Sequence, residues 1–473
     1  VNGNAILDDI EKELYLLSIY EVRQIARATG VAKPTDGKKE VLIDSIMRIA
    51  SGREIPQPRS KRGAPIKSDM YNKELFAKIQ NCRERCINDK NFLIDNSVEN
   101  TSTDNVNEAA ATQQSVESGM VEFYSGKCYL RHRAGNNFSA RDTHIEDRYV
   151  NYFSLKSGDV LSVTTKFKDD GEQVVGSVLN INGEVANSNA ERCDFETLSM
   201  AYPDKLLHVA TSEDDFFGRS VDFVAPIAAG ERVAIASPIG VDKGRVMREI
   251  AAKIAKNNPE LYFAVILADC AGEEIVDYTN GIPKAELFSV SDNGALEGMR
   301  CARLALDYAK RKVEDGKDVV LILDDVTKLA RIFNSNGGQV SSNLEFNSLA
   351  TIKQYLNSAK KVVGGGTLTV LCAIDIDERD TFEGVLYGNL YNMFSVTITL
   401  SKELAKAHVY PPVDIRSSGA KREEMYMSKR ALDALISLRK KSNEKEDNVK
   451  LYNLFERCGA DEELYTTLLE DTN

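Results

Sequence analysis

The 473-residue chain is 42% apolar, enough for about three domains with substantial cores. Its 60 basic and 72 acidic side chains leave a formal net charge of -12, which argues against gross, charge-driven nucleic-acid binding but leaves room for a local basic groove. No apolar run reaches the ~18–20 residues that span a bilayer, no signal-peptide pattern opens the chain, and eight scattered cysteines predict a reducing cytoplasm with no membrane partner.

Residues 1–55 read as a small helical unit. "ILDDIEKELYLLSIYEVRQIARATG" carries apolar side chains at helical spacing up to Gly30, a helix stop, and "KKEVLIDSIMRIA" follows a turn at Pro34 and Gly37. Residues 56–118 begin as a Pro-punctuated basic segment ("PQPRSKRGAPIKS") and end as an Asn- and Ser-rich linker ("NSVENTSTDNVNEAAATQQSVES") with too few apolar groups to offset chain entropy. Helices with a basic arm suit nucleic-acid binding or protein docking equally. Cys82 and Cys86 stand four apart on an expected helix, but without a second pair or a nearby His no zinc site is expected.

Over 119–185 the texture changes to short alternating runs, "GMVEFYSGKCYLRHR", "RYVNYFSLKSGDVLSVTTKF" and "QVVGSVLNING", separated by Ser-Gly and Gly-Asp turns. Several such strands in about 70 residues predict a small β-barrel of the OB type. Tyr129 with Arg131, and Tyr149 with Tyr152, could supply stacking faces and cations for unpaired bases, or equally fill the barrel. A connector (186–220) leads to an α/β region over 221–430. There "VAIAS", "YFAVILAD", "DVVLILDD", "TLTVLCAID" and "FSVTITLS" have the continuous apolar character of strands buried on both faces. The first four end in polar or acidic residues, where a parallel sheet presents its ligand-binding edge. Residues 431–473 form an expected helical cap.

The first of these strands opens "VAIASPIGVDKGRVMREIAAKIAKNN", in which a tight loop with Pro238 and Gly240 leads to a helix carrying Val246, Ile250 and Ile254. That is the frame of a phosphate-binding loop. Counting G-x-x-x-x-G-K-[ST] from Ser237 places Lys243 on the lysine, Asp242 on the glycine and Gly244 on the hydroxyl residue. A shifted register puts Gly244 and Arg245 on the Gly-Lys pair and Val246 on the hydroxyl residue. Neither register supplies a metal-binding hydroxyl.

The order of these pieces, with "DVVLILDDVTKLARIFN", "GGTLTVLCAIDID", "VYPPVDIRSSGAKREE" and "DFETLSMAYPDK", resembles the bacterial transcription termination factor Rho family, most strongly from Gly119 to Ser428. The resemblance implies a small N-terminal helical (SAP-like) domain, an OB-fold RNA site and a RecA-like ATPase core assembled as a hexameric ring. It aligns Asp324 with the magnesium-orienting Asp and Tyr410 with an adenine-stacking aromatic. Cys270, after Asp269, stands where the family has its water-polarising Glu, with Glu273 and Glu274 further on. Ser417 replaces the Arg that acts on a neighbouring subunit's site, Arg416 is adjacent to it, and Lys402 replaces a second family Arg. The segment from Asn334 to Gly364 is short for a Gly-Lys-rich pore loop, and "NMF" (Asn392 to Phe394) replaces a Gly-Thr-Gly loop. In the barrel, Tyr129 and Arg131 are kept, Lys127 stands where an aromatic is usual, Tyr149 matches a stacking Tyr, Glu172 a base-reading acid, and Val174 replaces a Tyr.

A ring ATPase needs a phosphate cradle with Lys, a hydroxyl and an acid for magnesium, a carboxylate for water and an Arg from a neighbour. With several of these replaced, the leading expectation is a pseudoenzyme with a degenerate site, for which ATP and magnesium are not certain cofactors. It would bind itself, single-stranded RNA, RNA polymerase or an active Rho, as a regulator or antagonist of termination. Two readings stay open beside it: an active RNA-dependent ATPase/helicase terminator using Lys243, Asp324 and displaced acids, and a structural nucleic-acid-binding oligomer.

Overall fold

Ser18 divides the first expected helical run. Its side chain accepts from the Glu21 N–H while Glu21 accepts from the Ser18 N–H, a capping box that starts α1 at Ile19–Thr29. Gly30, with φ 86°, ends it in the left-handed conformation. The structure, a computed structural model, describes residues 10, 13–15, 17–31, 38–50, 73–88, 116–132, 142–168, 172–187, 192–290, 295–336, 339–340, 344–377, 381–441, 453–455, 457–458 and 461–470. They form two units, Val1–Arg192 and Cys193–Asn473. After α2 (Lys39–Ala50), a third helix, α3 (Lys73–Asn88), is the one expected to carry Cys82 and Cys86, within the span 56–118 otherwise read as basic arm and linker. Leu75, Ile79 and Cys82 recur at helical spacing and are buried with Val22, Ile25, Leu42 and Ile46 in one core. The basic segment over 56–72, the linker over 89–115 and the side chain of Cys86 lie outside the described residues.

The barrel begins with β1 (Val116–Tyr124) and β2 (Lys127–His132), an antiparallel hairpin whose Ser125 and Gly126 both have positive φ, 49° and 76°. β3 (Thr143–Ile145), α4 (Asp147–Phe153), β4 (Val160–Phe167), β5 (Gln173–Ile181) and the short β6 (Glu184–Val185) follow. β1 pairs with both β2 and β4, β4 with β5, and β3 with both β2 and β5, so the first five strands close on themselves as an OB-type barrel. "RYVNYF", expected as strand, is the helix α4. Its buried residues are Tyr149 and Phe153, four apart, and Ser154 ends it with φ 49° and an N–H donated to the Val150 carbonyl.

The second unit is a RecA-like α/β domain on a nine-stranded sheet. In chain order it runs β7 (Met200–Ala201), α5 (Phe216–Val224), β8 (Arg232–Pro238), α6 (Lys243–Asn257), β9 (Tyr262–Ala268), α7 (Gly272–Gly281), β10 (Glu286–Val290), α8 (Ala295–Glu314), β11 (Val319–Asp324) and α9 (Val326–Asn334). A small hairpin, β12 (Ser335–Asn336) and β13 (Gln339–Val340), leads to α10 (Phe346–Asn357), β14 (Lys360–Val362), β15 (Thr367–Ile376), α11 (Phe382–Leu390), β16 (Val396–Thr399), α12 (Lys402–Lys406), β17 (Gly419–Ala420), α13 (Lys429–Lys441) and α14 (Asp461–Glu470). Strands β10-β9-β11-β15-β8-β16 are parallel neighbours in that order, as continuous apolar strands require when helices cover both faces. The expected cap belongs to this core: Leu435, Leu438, Leu464 and Leu468 pack in the same cluster as Val233, Ile250 and Val265. No helix among the described residues is long and apolar enough to cross a membrane.

Candidate functional site

The sheet order brings the carboxyl ends of β8, β11 and β15 side by side, and the residues that matter lie there. After β8 the chain turns through Gly240, φ 92°, and Asp242 caps α6, its carboxylate accepting the Arg245 N–H at 2.9 Å. Unpaired N–H groups at such a helix start are what hold a phosphate. Here an internal carboxylate takes one of them and adds negative charge at the position an incoming anion needs.

Lys243 is the first residue of α6. Its Nζ lies 2.6 Å from Asp375 Oδ1, near the end of β15, and 2.9 Å from Asp325 Oδ2, just past β11. Asp325 is nearly inaccessible, and its other oxygen accepts the Lys328 N–H at 2.9 Å. Burial disfavours the Lys243 charge, but the two carboxylates outweigh it and hold the ammonium above its ordinary pKa. The lysine charge is therefore already neutralised within the protein.

Asp324 is enclosed differently. The Tyr278 hydroxyl donates to its Oδ2 at 2.9 Å, Arg248 Nη1 stands 4.0 Å away, and only 11% of its side chain is exposed. Burial pushes this carboxyl up to about 6, against the Tyr278 hydrogen bond, and the neighbouring Asp325 adds to the rise. Arg248 also reaches Glu274 at 3.1 Å and Asp277 at 3.3 Å. Gly244 borders this network, since a Cβ there would meet Arg248 Nη1 at 2.9 Å.

The remaining positions are dispersed. Cys270 is half-buried, and burial followed by the charge of Glu274 raises its thiol, so it offers no base at neutral pH. Glu274 accepts from the Ala271 N–H at the start of α7 and from Arg248, so this displaced acid is committed. The Tyr410 hydroxyl donates to Glu249 at 2.9 Å, and the Arg245 guanidinium lies 4.3 Å over its ring. Lys402 is exposed at the start of α12, and Arg416 and Ser417 are exposed in the loop before β17. The described part of the expected pore-loop segment is β12, β13 and α10, and Asn392 and Met393 form a single helical turn with Tyr391 before Phe394.

These residues do not fit a magnesium nucleotide. The lysine is held by two carboxylates, the helix start by Asp242, the acid that the resemblance aligns with magnesium by Tyr278, and position 244 carries no hydroxyl. The partners Asp325, Asp375, Arg248, Tyr278 and Glu249 escape sequence reading, and Arg245, set on the lysine position by the shifted register, lies over the Tyr410 ring instead. The doubled acid of "LDD" and the acid of "AIDID" are the only visible signals.

On the barrel, Lys127 is exposed and Tyr129 half-buried, its ring 5.8 Å from that of His144, which sits opposite it in the β2–β3 register. His144 Nδ1 is 3.6 Å from Glu172, which also pairs with Lys168 at 2.7 Å. Tyr129, His144 and Glu172 thus share one face. Arg131 does not point outward: its guanidinium is paired with Glu122 and Asp142, with 11% of the side chain exposed. Tyr149 is fully buried, its hydroxyl donating to the Gly176 carbonyl and Arg148 lying 4.7 Å over the ring. Val174 is also fully buried.

The description "ATP synthase alpha/beta family, nucleotide-binding domain" matches residues 218–420. Transcription termination factor Rho of Streptobacillus moniliformis is 29% identical over 333 residues, 68% of this chain and 80% of its own. That of Bacillus subtilis is 30% identical over 315 residues, 65% of this chain and 74% of its own. That of Karelsulcia muelleri is 27% identical over 310 residues, 64% of this chain and 82% of its own.

Proposed function

From a chain that belongs to the transcription termination factor Rho family, we propose a Rho-like termination factor whose nucleotide site is closed by internal charges and whose work is binding. One observation carries this reading: Lys243 is neutralised by Asp325 and Asp375, where a working site would keep it for phosphate. The replacements at Asp242, Gly244, Cys270 and Ser417 support the same conclusion. Single removals of such groups commonly cost about 10²–10⁵ in rate.

In this proposal the chain assembles with itself and binds single-stranded RNA through the barrel face of Lys127, Tyr129, His144 and Glu172. Stacking on one aromatic is worth about 1–3 kcal/mol per base. It regulates termination by entering rings with an active Rho. Each site in such a ring draws an Arg from the adjacent subunit, so one inert subunit silences its neighbour as well as itself. The test mixes the purified chain with an active Rho from the same cell and follows RNA-stimulated ATP hydrolysis. The proposal expects activity to fall more steeply than the fraction of inert subunits. Activity unaffected by a tenfold excess of the chain, with no co-purification, would remove the antagonist role.

A further inference from the structure

The opposite end of the same sheet carries a second cavity. Arg232 opens β8 and Ser395 stands just before β16, so both lie at the amino-terminal edge, away from Lys243. Lys360 and Lys361 open β14, and Lys421 and Arg422 follow β17. Gly230 permits their close approach: its φ is 99°, and a Cβ there would meet the Lys361 backbone nitrogen at 2.8 Å. These five cations and Tyr202 line a cavity of about 530 Å³.

Counter-charge within it is scarce. Glu231 is the one carboxylate of its lining, and it is buried, accepting from the Tyr426 hydroxyl at 3.0 Å and from the Ala228 N–H at 3.1 Å while it also feels the Arg232 charge. Among the cations, Lys361 pairs with Asp204, Arg422 with the exposed Glu424 at 3.4 Å, and Lys360 donates to the Phe195 carbonyl at 2.5 Å. Lys421 donates to a neutral acceptor, the Asn392 carbonyl, at 2.7 Å. The Nε of Arg232 is buried with no hydrogen-bond partner among the described residues. Arg232 and Lys421 also repel: burial and then the Arg232 charge lower the Lys421 pKa. An anion between them would satisfy the orphaned donor and relieve the repulsion.

At the cavity rim the Tyr202 ring is 70% exposed, backed by the Arg422 guanidinium at 5.1 Å. A cation-backed, exposed aromatic beside two cations that share one buried carboxylate and leave a donor orphaned is the chemistry that recognises a phosphate and the base attached to it. We infer that this cavity is a nucleotide-phosphate site, with the phosphate between Arg232 and Lys421 and the base against Tyr202. The site needs neither turnover nor Lys243, so it goes beyond the function proposed above. A free nucleotide and a nucleotide within a single strand present the same chemistry.

The experiment titrates uridine 5′-diphosphate, and separately a short oligouridylate, into the purified full chain by calorimetry at low salt without magnesium. The variants are Arg232→Met, Lys421→Gln, Tyr202→Ala and, as an exposed control on α12 at the other edge of the sheet, Lys406→Gln, each also made in a Tyr129→Ala background so that the barrel face does not mask the oligonucleotide. Lys421 and Tyr202 are exposed, so those two variants report even where Arg232→Met disturbs folding. Affinity should fall tenfold or more in Lys421→Gln and Arg232→Met and several-fold in Tyr202→Ala, and stay unchanged in Lys406→Gln. Losses with uridine diphosphate identify a free-nucleotide site, and losses confined to the oligonucleotide identify a strand-binding site. No binding of either probe, binding unchanged in Lys421→Gln and Tyr202→Ala, or an equal loss in Lys406→Gln overturns the inference.

Discussion

Replacing Lys243 by Met tests whether this lysine is part of the fold or a group kept for phosphate. Its Nζ lies 2.6 Å and 2.9 Å from two carboxylates. At an effective dielectric of ~20 each attraction is roughly 6 kcal/mol before desolvation is subtracted. Desolvation of three charges offsets most of this, several kcal/mol per ion, yet the lysine pKa is raised, so the attraction wins. Removing the lysine leaves Asp325, 5% exposed, beside Asp375 without a cation. Breaking a buried pair in this way costs about 3–5 kcal/mol. Because Lys243 and Asp375 keep 14% and 20% of their side chains in solvent, the expected loss is discounted to about 2–3 kcal/mol. Urea unfolding without nucleotide, followed by circular dichroism because the chain has no Trp, measures it. The deficit should shrink as pH falls, because burial already raises the Asp375 carboxyl and loss of the lysine removes what opposes that rise. The triple variant Lys243→Met, Asp325→Asn, Asp375→Asn should recover most of the stability, since no charge is left unpaired. A Lys243→Met loss below about 0.5 kcal/mol at pH 7.5 would refute the argument.

Asp324→Asn should stabilise the second unit by up to about 3 kcal/mol at pH 8, from a carboxyl raised from 3.8 to about 6. Its folded pKa lies above its unfolded value, so wild-type stability falls as pH rises between about 4 and 6. The advantage of the Asn variant must therefore vanish near pH 4, as parallel unfolding curves would show. Tyr149→Phe should cost about 1 kcal/mol through the lost hydrogen bond to Gly176, and Tyr149→Ala about 3–5 kcal/mol, by thermal unfolding of the chain. The Phe variant should keep wild-type affinity for an oligouridylate, whereas Tyr129→Ala should lower it at unchanged stability. Gly244→Ser should fold with a loss of about 1 kcal/mol or less, because the one contact under 3.0 Å that its Cβ makes is with the side-chain end of Arg248, and should not by itself create ATP hydrolysis.

The sheet was legible because its strands are buried on both faces: "VVLIL" and "TLTVLCAI" admit few other placements once helices flank them. Gly30 marked a helix end for the local reason that its φ is positive. α3 was legible only as the helix expected to carry Cys82 and Cys86; its extent was not, because its three buried positions stand between two polar stretches that dominate composition. α4 was concealed because "RYVNYF" is rich in aromatic and β-branched residues, and only the buried pair Tyr149 and Phe153, four apart, decides for helix. That placement makes Tyr149 a core residue. Within the nucleotide site, Lys243, Asp242 and Gly244 are contiguous and visible. Asp325 and Asp375 are not, because they reach Lys243 only through a sheet that sets β8 beside β15 and β15 beside β11. Positions 82 and 132 residues further along the chain carry no local sign of that meeting.

RNA-stimulated ATP hydrolysis by the purified chain with magnesium tests the closed site most directly. The account predicts a rate at the no-enzyme background, in wild type and Lys243→Ala alike. Robust turnover in wild type that disappears in Lys243→Ala would contradict it, and would make this chain an active terminator whose lysine leaves Asp325 and Asp375 when nucleotide arrives.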